Sequence, residues 1–283
     1  MLAKSKQIVI DKEAFIRIGT DKLCSFAHNH LLLVCDTLLY ECATTCESKR
    51  KDMLCCCDLL IKADAYYCPC SIGFLQFEGN NCCPYPSFLP DLNATEDIRK
   101  ACLEDVVLNS PDKIKMISLS RWEVARNEFV KLSEMLKKRI DSENPDVGKR
   151  IKELPSDKIA RLQKLFERID KLDLHQTVVD STPANWIKDE SNFCLSPEWM
   201  SWQRIRLIHV MVMNYNYLLR TGGCPGDKRA EHDYQDMEYV LLLSRADGLL
   251  TKDDGCACLG KAAFPDKDVF RCIEDVPRSY KSK

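Results

Sequence analysis

Four acidic residues stand where an α/β sheet would bring their side chains together. Asp11 ends the apolar run IVID, and Asp253 ends a second run, LLTKD. Glu41 and Asp236 lie in segments whose apolar residues have helical spacing. Because carboxylates at close range repel one another, such a cluster needs a cation among them. Mg²⁺ and Mn²⁺ take oxygen ligands of this kind, and a metal-bound water is a nucleophile for phosphodiester hydrolysis.

The stretch over 231–255 carries two of these acids and predicts a helix that leads into a strand. Apolar residues recur at helical spacing over 233–246 and share a face with Asp236. Gly248 is the residue type that takes a positive φ just past a helix end, and 249–251 is an apolar run of strand type. In a parallel sheet, ligands collect outside the carboxyl ends of the strands, so acids after this strand mark the expected site.

The N-terminal part of the chain predicts the opening of an α/β domain. We expect a buried strand over 7–10, a helix over 13–26 and a second strand over 31–34. Asp36 is placed to cap a helix that begins at Thr37 and carries an acid in its first turns. This alternation of strands and helices is typical of the α/β class.

The middle of the sequence predicts helices rather than strands. A helix is expected over 53–63, and the prolines and glycines of 68–90 predict a loop. Long amphipathic helices are then predicted over 120–140, 157–172 and 196–220, the last opened by Ser196 and Pro197. The order of elements predicts one sheet built from both ends of the chain, with a helical insertion between them.

The net charge and the hydropathy of the chain restrict the functions and locations that we expect for the protein. The chain has 283 residues and a net charge of −2, which argues against binding nucleic acid through bulk charge. Over 121–171 there are 14 Lys and Arg against 10 Asp and Glu, an excess of four that suits either a solvated helical surface or a groove along phosphates. No apolar run approaches the roughly 18 residues of a membrane helix, and the N-terminus lacks an apolar signal segment. A cytoplasmic protein without a membrane partner is expected.

Cysteine is unusually frequent, with 17 in the chain and clusters at 55–57, 68–70, 82–83 and 256–258. Without a secretion signal, disulfides are not expected. The thiols could hold zinc or an iron–sulfur cluster, but there is no Cys-x-x-Cys pair, and adjacent cysteines rarely bind one tetrahedral ion. We favour buried or inert thiols over a metal site.

The four acids and their flanking residues resemble the PIN-like nuclease family. The motifs are IVID at 8–11, LLYE at 38–41, HDYQDMEY at 232–239 and LLTKD at 249–253. The resemblance implies that Mg²⁺ or Mn²⁺ is bound by four catalytic acids and two auxiliary ones, which are Asp11, Glu41, Asp236 and Asp253, with Asp233 and Asp254. Lys12 departs from the family, since many members have a small hydroxyl residue after the first acid; a lysine there could hold the scissile phosphate.

The fold implied by the resemblance is an α/β, PIN-like three-layer domain with a central, mostly parallel sheet. The N-terminal part of this domain would span 1–90, a large helical insertion 91–220 and the C-terminal part 221–283. A short helix over 258–262 and a strand over 267–270 are expected in the last part. We therefore expect 7–50 and 231–275 to form one mostly parallel sheet with flanking helices, and 91–220 to lie beside it as a helical insertion.

The implied function is metal-dependent hydrolysis of nucleic acid, with RNA favoured over DNA as the substrate. Two alternatives remain open: a PIN-like binding or regulatory protein without catalysis, and a protein that binds zinc or an iron–sulfur cluster through its thiols. A protein inhibitor or a second copy of the chain would be further partners. In the metal-free protein, repulsion among the acids is expected to raise the pKa of at least one of them.

Overall fold

The computed structural model describes residues 6–44, 49–63, 65–103, 138, 151, 153–182, 185–189, 195–222 and 227–277. The helix predicted over 120–140 lies outside these ranges except for residue 138. Most of the basic segment over 121–171 lies outside them as well. No helix within the described ranges is both long and apolar enough to cross a membrane.

The core of the molecule is a parallel sheet of five strands. The strands are β1 (Gln7–Ile10), β2 (Leu31–Cys35), β3 (Tyr66–Cys68), β4 (Gly248–Leu250) and β5 (Asp268–Phe270). Their order across the sheet is β3-β2-β1-β4-β5, and all neighbours pair in parallel. Strand β1 pairs with β4 in a register that sets Ile10 beside Leu250. The predicted α/β class and the prediction that both ends of the chain contribute to one parallel sheet are therefore confirmed.

Six helices are described between β1 and residue 103. They are α1 (Lys12–Ile18), α2 (Thr20–Ala27), α3 (Asp36–Thr44), α4 (Lys49–Lys62), α5 (Ser71–Asn81) and α6 (Leu92–Leu103). The single helix predicted over 13–26 is wrong in detail, because Gly19, with φ of +83°, separates α1 from α2.

The loop predicted over 68–90 is also wrong, because β3 ends there and α5 follows. Phe74 and Leu75 of α5 are buried in the core, and their burial favours the helix. Pro69 precedes the helix, where a missing N–H does not break a helical hydrogen bond. The other prolines of this stretch lie after α5 ends at Asn81.

Five more helices are described in the second half of the chain. They are α7 (Lys158–Ile169), α8 (His175–Ser181), α9 (Met200–Arg220), α10 (Asp227–Leu243) and α11 (Asp254–Ala263). The helix predicted from Asp157 is confirmed, with the Asp157 carboxylate accepting from the backbone N–H of Ala160 at 2.8 Å. Helix α9 begins at Met200 rather than at Ser196, and Ser196 does not cap it. Helix α7 packs on α9 and α11, and α10 packs on α9, α11, β1 and β4.

Two local predictions are corrected by tertiary contacts. Asp36 does not cap α3 from outside but lies within it, and its carboxylate accepts from the Tyr67 hydroxyl at 2.7 Å and the Cys70 N–H at 3.1 Å. Gly248 does not end α10 with a positive φ but begins β4. A Cβ on Gly248 would lie 2.6 Å from the ring of Phe270, so close packing between strands explains this glycine.

Candidate functional site

A pocket of about 460 Å³ lies where β1 and β4 end. All four predicted catalytic acids line it, which are Asp11, Glu41, Asp236 and Asp253. The parallel pairing of β1 with β4 sets the residues that follow the two strands side by side. Helices α3 and α10 supply the other two acids. The structure thus brings together acids from both ends of the chain.

Asp11 lies at the junction of β1 and α1 and is almost fully buried. One oxygen of its carboxylate accepts from the Ala14 N–H at 2.7 Å and so caps α1. The other accepts a short hydrogen bond from the Thr251 hydroxyl at the end of β4. The pKa of Asp11 is raised to about 6, chiefly by burial and to a smaller extent by the charge of Asp253, while these two hydrogen bonds oppose the rise.

Asp253 lies three residues after the end of β4 and, like Asp11, is the N-cap of a helix. Its carboxylate accepts from the Cys256 N–H at 2.8 Å and caps α11. The guanidinium of Arg271 donates to the backbone carbonyls of Lys252 and Asp253, each at 2.7 Å. These contacts fix the backbone that presents the Asp253 carboxylate to the pocket.

Glu41 projects from α3 into the same pocket and is mostly buried. The Tyr239 hydroxyl donates to its Oε2 at 2.6 Å, and the Lys12 ammonium lies 3.7 Å from its Oε1. Burial raises the pKa of Glu41, while the hydrogen bond from Tyr239 and the charge of Lys12 oppose this rise. Lys12, which the resemblance predicts could hold a phosphate, therefore lines the pocket beside one of its acids.

Asp236 has the most acidic surroundings in the pocket. Removal from water raises its pKa well above the ordinary value, and the negative charges of Asp253, Asp233, Asp11 and Glu41 add to the effect in that order. The Asp233 carboxylate, one helical turn away, also lines the pocket and accepts from the Tyr215 hydroxyl at 2.6 Å. Raised pKa values are therefore present, with burial as their largest cause.

Asp254, the second predicted auxiliary, does not line this pocket. Its side chain is 95 % exposed and pairs with Arg271 at 2.6 Å. The two residues differ because Asp253 is the N-cap of α11, with its carboxylate bonded to the Cys256 N–H, whereas Asp254 is the first residue of that helix.

The donor set of the pocket suits a hard divalent cation. Carboxylate oxygens are the ligands that Mg²⁺ and Mn²⁺ prefer. Gly255 leaves a small space among them: a Cβ there would lie 2.8 Å from Asp253 Oδ1, 3.1 Å from Asp236 Oδ2 and 3.4 Å from Lys158 Nζ. The absence of a side chain at this position keeps two carboxylates and one ammonium open to a shared ligand.

Several of these acids already form hydrogen bonds or ion pairs with other side chains of the same chain. As the side chains stand, no three His, Cys, Asp or Glu residues within the described ranges are arranged to hold one metal ion. Asp11 is occupied by Thr251, and Glu41 by Tyr239 and Lys12. A cation would therefore have to share these hydrogen bonds or shift the carboxylates. The thiols of the described chain form no such group either.

Several pocket residues were not identified from the sequence. Lys158 begins α7 and lines the same pocket as the acids, although it lies 78 residues before Asp236 in the sequence and belongs to no motif that marks it. Tyr239 follows Asp236 by three positions, so helical spacing places both on one side of α10, and this signal was available. Thr251 lies within the run LLTKD, but its hydrogen bond to Asp11 depends on the pairing of β1 with β4.

No protein-family model matches this sequence, and no curated protein or solved structure matches it either. The functional interpretation therefore depends on the geometry of the pocket and on the resemblance of the four acidic motifs.

Proposed function

We propose that this protein is a metal-dependent phosphodiesterase that hydrolyses nucleic acid, with a PIN-like arrangement of its sheet and acids. The observation that carries the proposal is the convergence of Asp11, Glu41, Asp236 and Asp253 on one pocket from both ends of the chain. Acids this close raise one another's pKa values and are relieved by a bound cation.

The four acids would bind one or two ions of Mg²⁺ or Mn²⁺. A bound ion of this class supplies a nucleophilic water and neutralises charge on the reacting phosphate. Tyr239 orients Glu41 through its hydroxyl, and Thr251 orients Asp11. The backbone of Asp253 is held by Arg271. These hydrogen bonds limit the rotamers that the acids adopt and so pre-organise the site.

Two lysines in the pocket support a phosphate-bearing substrate. Lys12 and Lys158 line it from opposite parts of the sequence. Their ammonium groups would attract a phosphodiester to acids that would otherwise repel it. Because the net charge of the chain is −2, this attraction is local to the pocket. The expected preference for RNA over DNA is based on the resemblance to PIN-like nucleases.

A second candidate function is nucleic-acid binding or regulation without catalysis, in the same fold. The observation in its favour is the pairing of Lys12 with Glu41 at 3.7 Å, which neutralises one acid without a metal ion. In that case the pocket would bind phosphate through its lysines and the acids would be structural. The two candidates differ in whether a divalent ion is required for product formation.

The experiment is incubation of the purified protein with end-labelled single-stranded RNA and DNA of the same sequence. Reactions contain Mn²⁺, Mg²⁺ or a chelator in excess. We expect shortened products with metal ion, more from RNA than from DNA, and none with chelator. Retarded but intact RNA in every reaction would support the binding protein, and neither binding nor cleavage would refute both candidates.

A further inference from the structure

Cysteine thiols in the described chain are free, and two pairs of them are in contact. The sulfurs of Cys42 and Cys56 lie 3.4 Å apart, and those of Cys57 and Cys102 lie 2.8 Å apart. The first pair is fully buried, whereas Cys102 of the second is partly exposed. A peroxide in solvent can therefore reach the second pair and not the first.

The geometry of the second pair is that of two thiols poised to bond. Cys57 lies on α4 and Cys102 near the end of α6, and these helices pack against each other. The two sulfurs lie 2.8 Å apart. A disulfide bond is about 2.05 Å long, so a small movement of the side chains is enough to form one. Packing of the two helices, rather than chance proximity in a loop, holds the sulfurs together.

We propose that Cys57 and Cys102 form a reversible redox site that a hydroperoxide converts to a disulfide between α4 and α6. The site is independent of the proposed phosphodiesterase activity. The two thiols are not joined in the structure.

The two thiols have different chemical roles. Their hydrogen bond lowers the pKa of Cys102 and raises the pKa of Cys57, so Cys102 ionises first. Partial exposure gives the same residue access to solvent, whereas Cys57 is buried. Exposure and ionisation thus both assign Cys102 as the attacking thiol and Cys57 as the resolving one.

The reaction balances with one hydroperoxide per disulfide. The thiolate of Cys102 attacks the peroxide oxygen, the O–O bond breaks, and hydroxide leaves, which gives a sulfenic acid at Cys102. The sulfur of Cys57 then attacks the Cys102 sulfur, the S–O bond breaks, and the proton of Cys57 leaves with the oxygen as water. Two thiols are oxidised and the peroxide is reduced. A dithiol such as dithiothreitol reverses the step by exchange.

The disulfide would close a loop of 45 residues and tie α6 to α4. Helix α4 packs on α3, where Cys42 touches Cys56 beside Glu41 of the acidic pocket. Oxidation would therefore restrict the helices that support one side of that pocket. The oxidised chain is expected to unfold at a higher temperature than the reduced chain, because the unfolded state loses freedom.

The test is mass spectrometry of the full-length protein after reduction, removal of reductant and treatment with hydrogen peroxide. Free thiols are then alkylated and the protein is cut with trypsin without reduction. Cleavage after lysine places Cys57 in peptide 52–62 and Cys102 in peptide 101–113. We expect these two peptides to be joined, with the link lost on later reduction.

Serine variants of single cysteines identify the two residues that form the link between the peptides. Cys57→Ser and Cys102→Ser should each abolish it, and Cys57→Ser should let a dimedone probe trap the sulfenic acid at Cys102. Cys55→Ser, on the same peptide as Cys57, and Cys83→Ser, at an exposed thiol outside both peptides, should retain it. The proposal is overturned if the wild-type protein gives no joined peptides, or if the link survives Cys57→Ser. Neither outcome depends on nuclease activity.

Discussion

Single residues at the pocket differ in how strongly their neighbours act on them. Asp236 faces four other acids, and its pKa is raised by burial first and by their charges next. Asp254 is adjacent to the site in sequence but almost fully exposed and paired with Arg271. Replacing each of these two acids in turn therefore separates a loss of catalysis from the general effect of removing one negative charge.

Replacing Asp236 by Asn keeps the size of the side chain and removes one ligand charge. We expect metal-dependent cleavage to fall roughly a hundred-fold or more, since several kcal/mol of metal-assisted stabilisation are lost and about 1.4 kcal/mol is tenfold in rate. The metal-free protein should be as stable as the wild type or more so, because repulsion is reduced. Initial rates of RNA cleavage and urea unfolding measure the two effects.

The control is Asp254→Asn, which changes an exposed acid outside the pocket and should alter the cleavage rate less than threefold, a factor that corresponds to about 0.7 kcal/mol. Equal losses in the two variants would indicate a general electrostatic effect. Full activity in Asp236→Asn would refute the assigned role of that acid.

At the scale of elements, a buried carboxylate from α5 caps the longest described helix. Glu78 is fully buried. One of its oxygens accepts from the N–H groups of Tyr85 and Met200, and the other from the N–H and hydroxyl of Ser201. It thereby satisfies the first turn of α9, a role that Ser196 was predicted to have. Burial raises the pKa of Glu78, and these hydrogen bonds oppose the rise.

Glu78→Gln should destabilise the fold by about 1–3 kcal/mol, because the amide NH₂ would face donors that now bond a carboxylate oxygen. Urea unfolding followed by circular dichroism measures the change. Glu198→Gln, at an exposed position before the same helix, is the control and should change stability by less than about 0.5 kcal/mol. Equal stability of Glu78→Gln and the wild type would show that the carboxylate charge is dispensable for capping.

At the scale of the whole molecule, the acidic pocket links stability to pH and to metal ions. The pKa values of Asp11, Glu41 and Asp236 are all raised in the folded protein, chiefly by burial. The folded state therefore holds protons more firmly than the unfolded state. The stability that follows is fully present below the ordinary pKa of an acid and is lost as pH rises through the folded value.

We expect the metal-free protein to lose stability between about pH 4 and pH 7, with Asp11, whose pKa is about 6, contributing up to about 3 kcal/mol. Adding Mg²⁺ at about pH 7.5 should restore stability, because the ion binds the folded state alone. Thermal unfolding across pH, with chelator or with Mg²⁺, measures both effects. The stability of Asp236→Asn should fall less steeply with pH than that of the wild type. A metal-free protein whose stability rises between about pH 4 and pH 7 would contradict the electrostatic account.

Four of the five strands, together with the acids of the pocket, could be predicted from the sequence because their signals are local, whereas β3 was not predicted. Short apolar runs followed by an acid define β1 with Asp11 and β4 with Asp253, and each acid caps the next helix within three residues. Since parallel strands end at one edge, their acids meet once the strands pair. The resemblance of four short motifs supplied the remaining two acids.

Other features were decided by tertiary structure because they join residues far apart in sequence. Lys158 reaches the pocket through the packing of α7 on α11, and Glu78 caps a helix 122 residues later. Helix α5 forms in a stretch rich in proline because core burial of its apolar residues outweighs the loop signal. The contact between Cys57 and Cys102 arises in the same way from the packing of α4 on α6. Local propensity determined which segments became strands, whereas packing determined which distant side chains share a site.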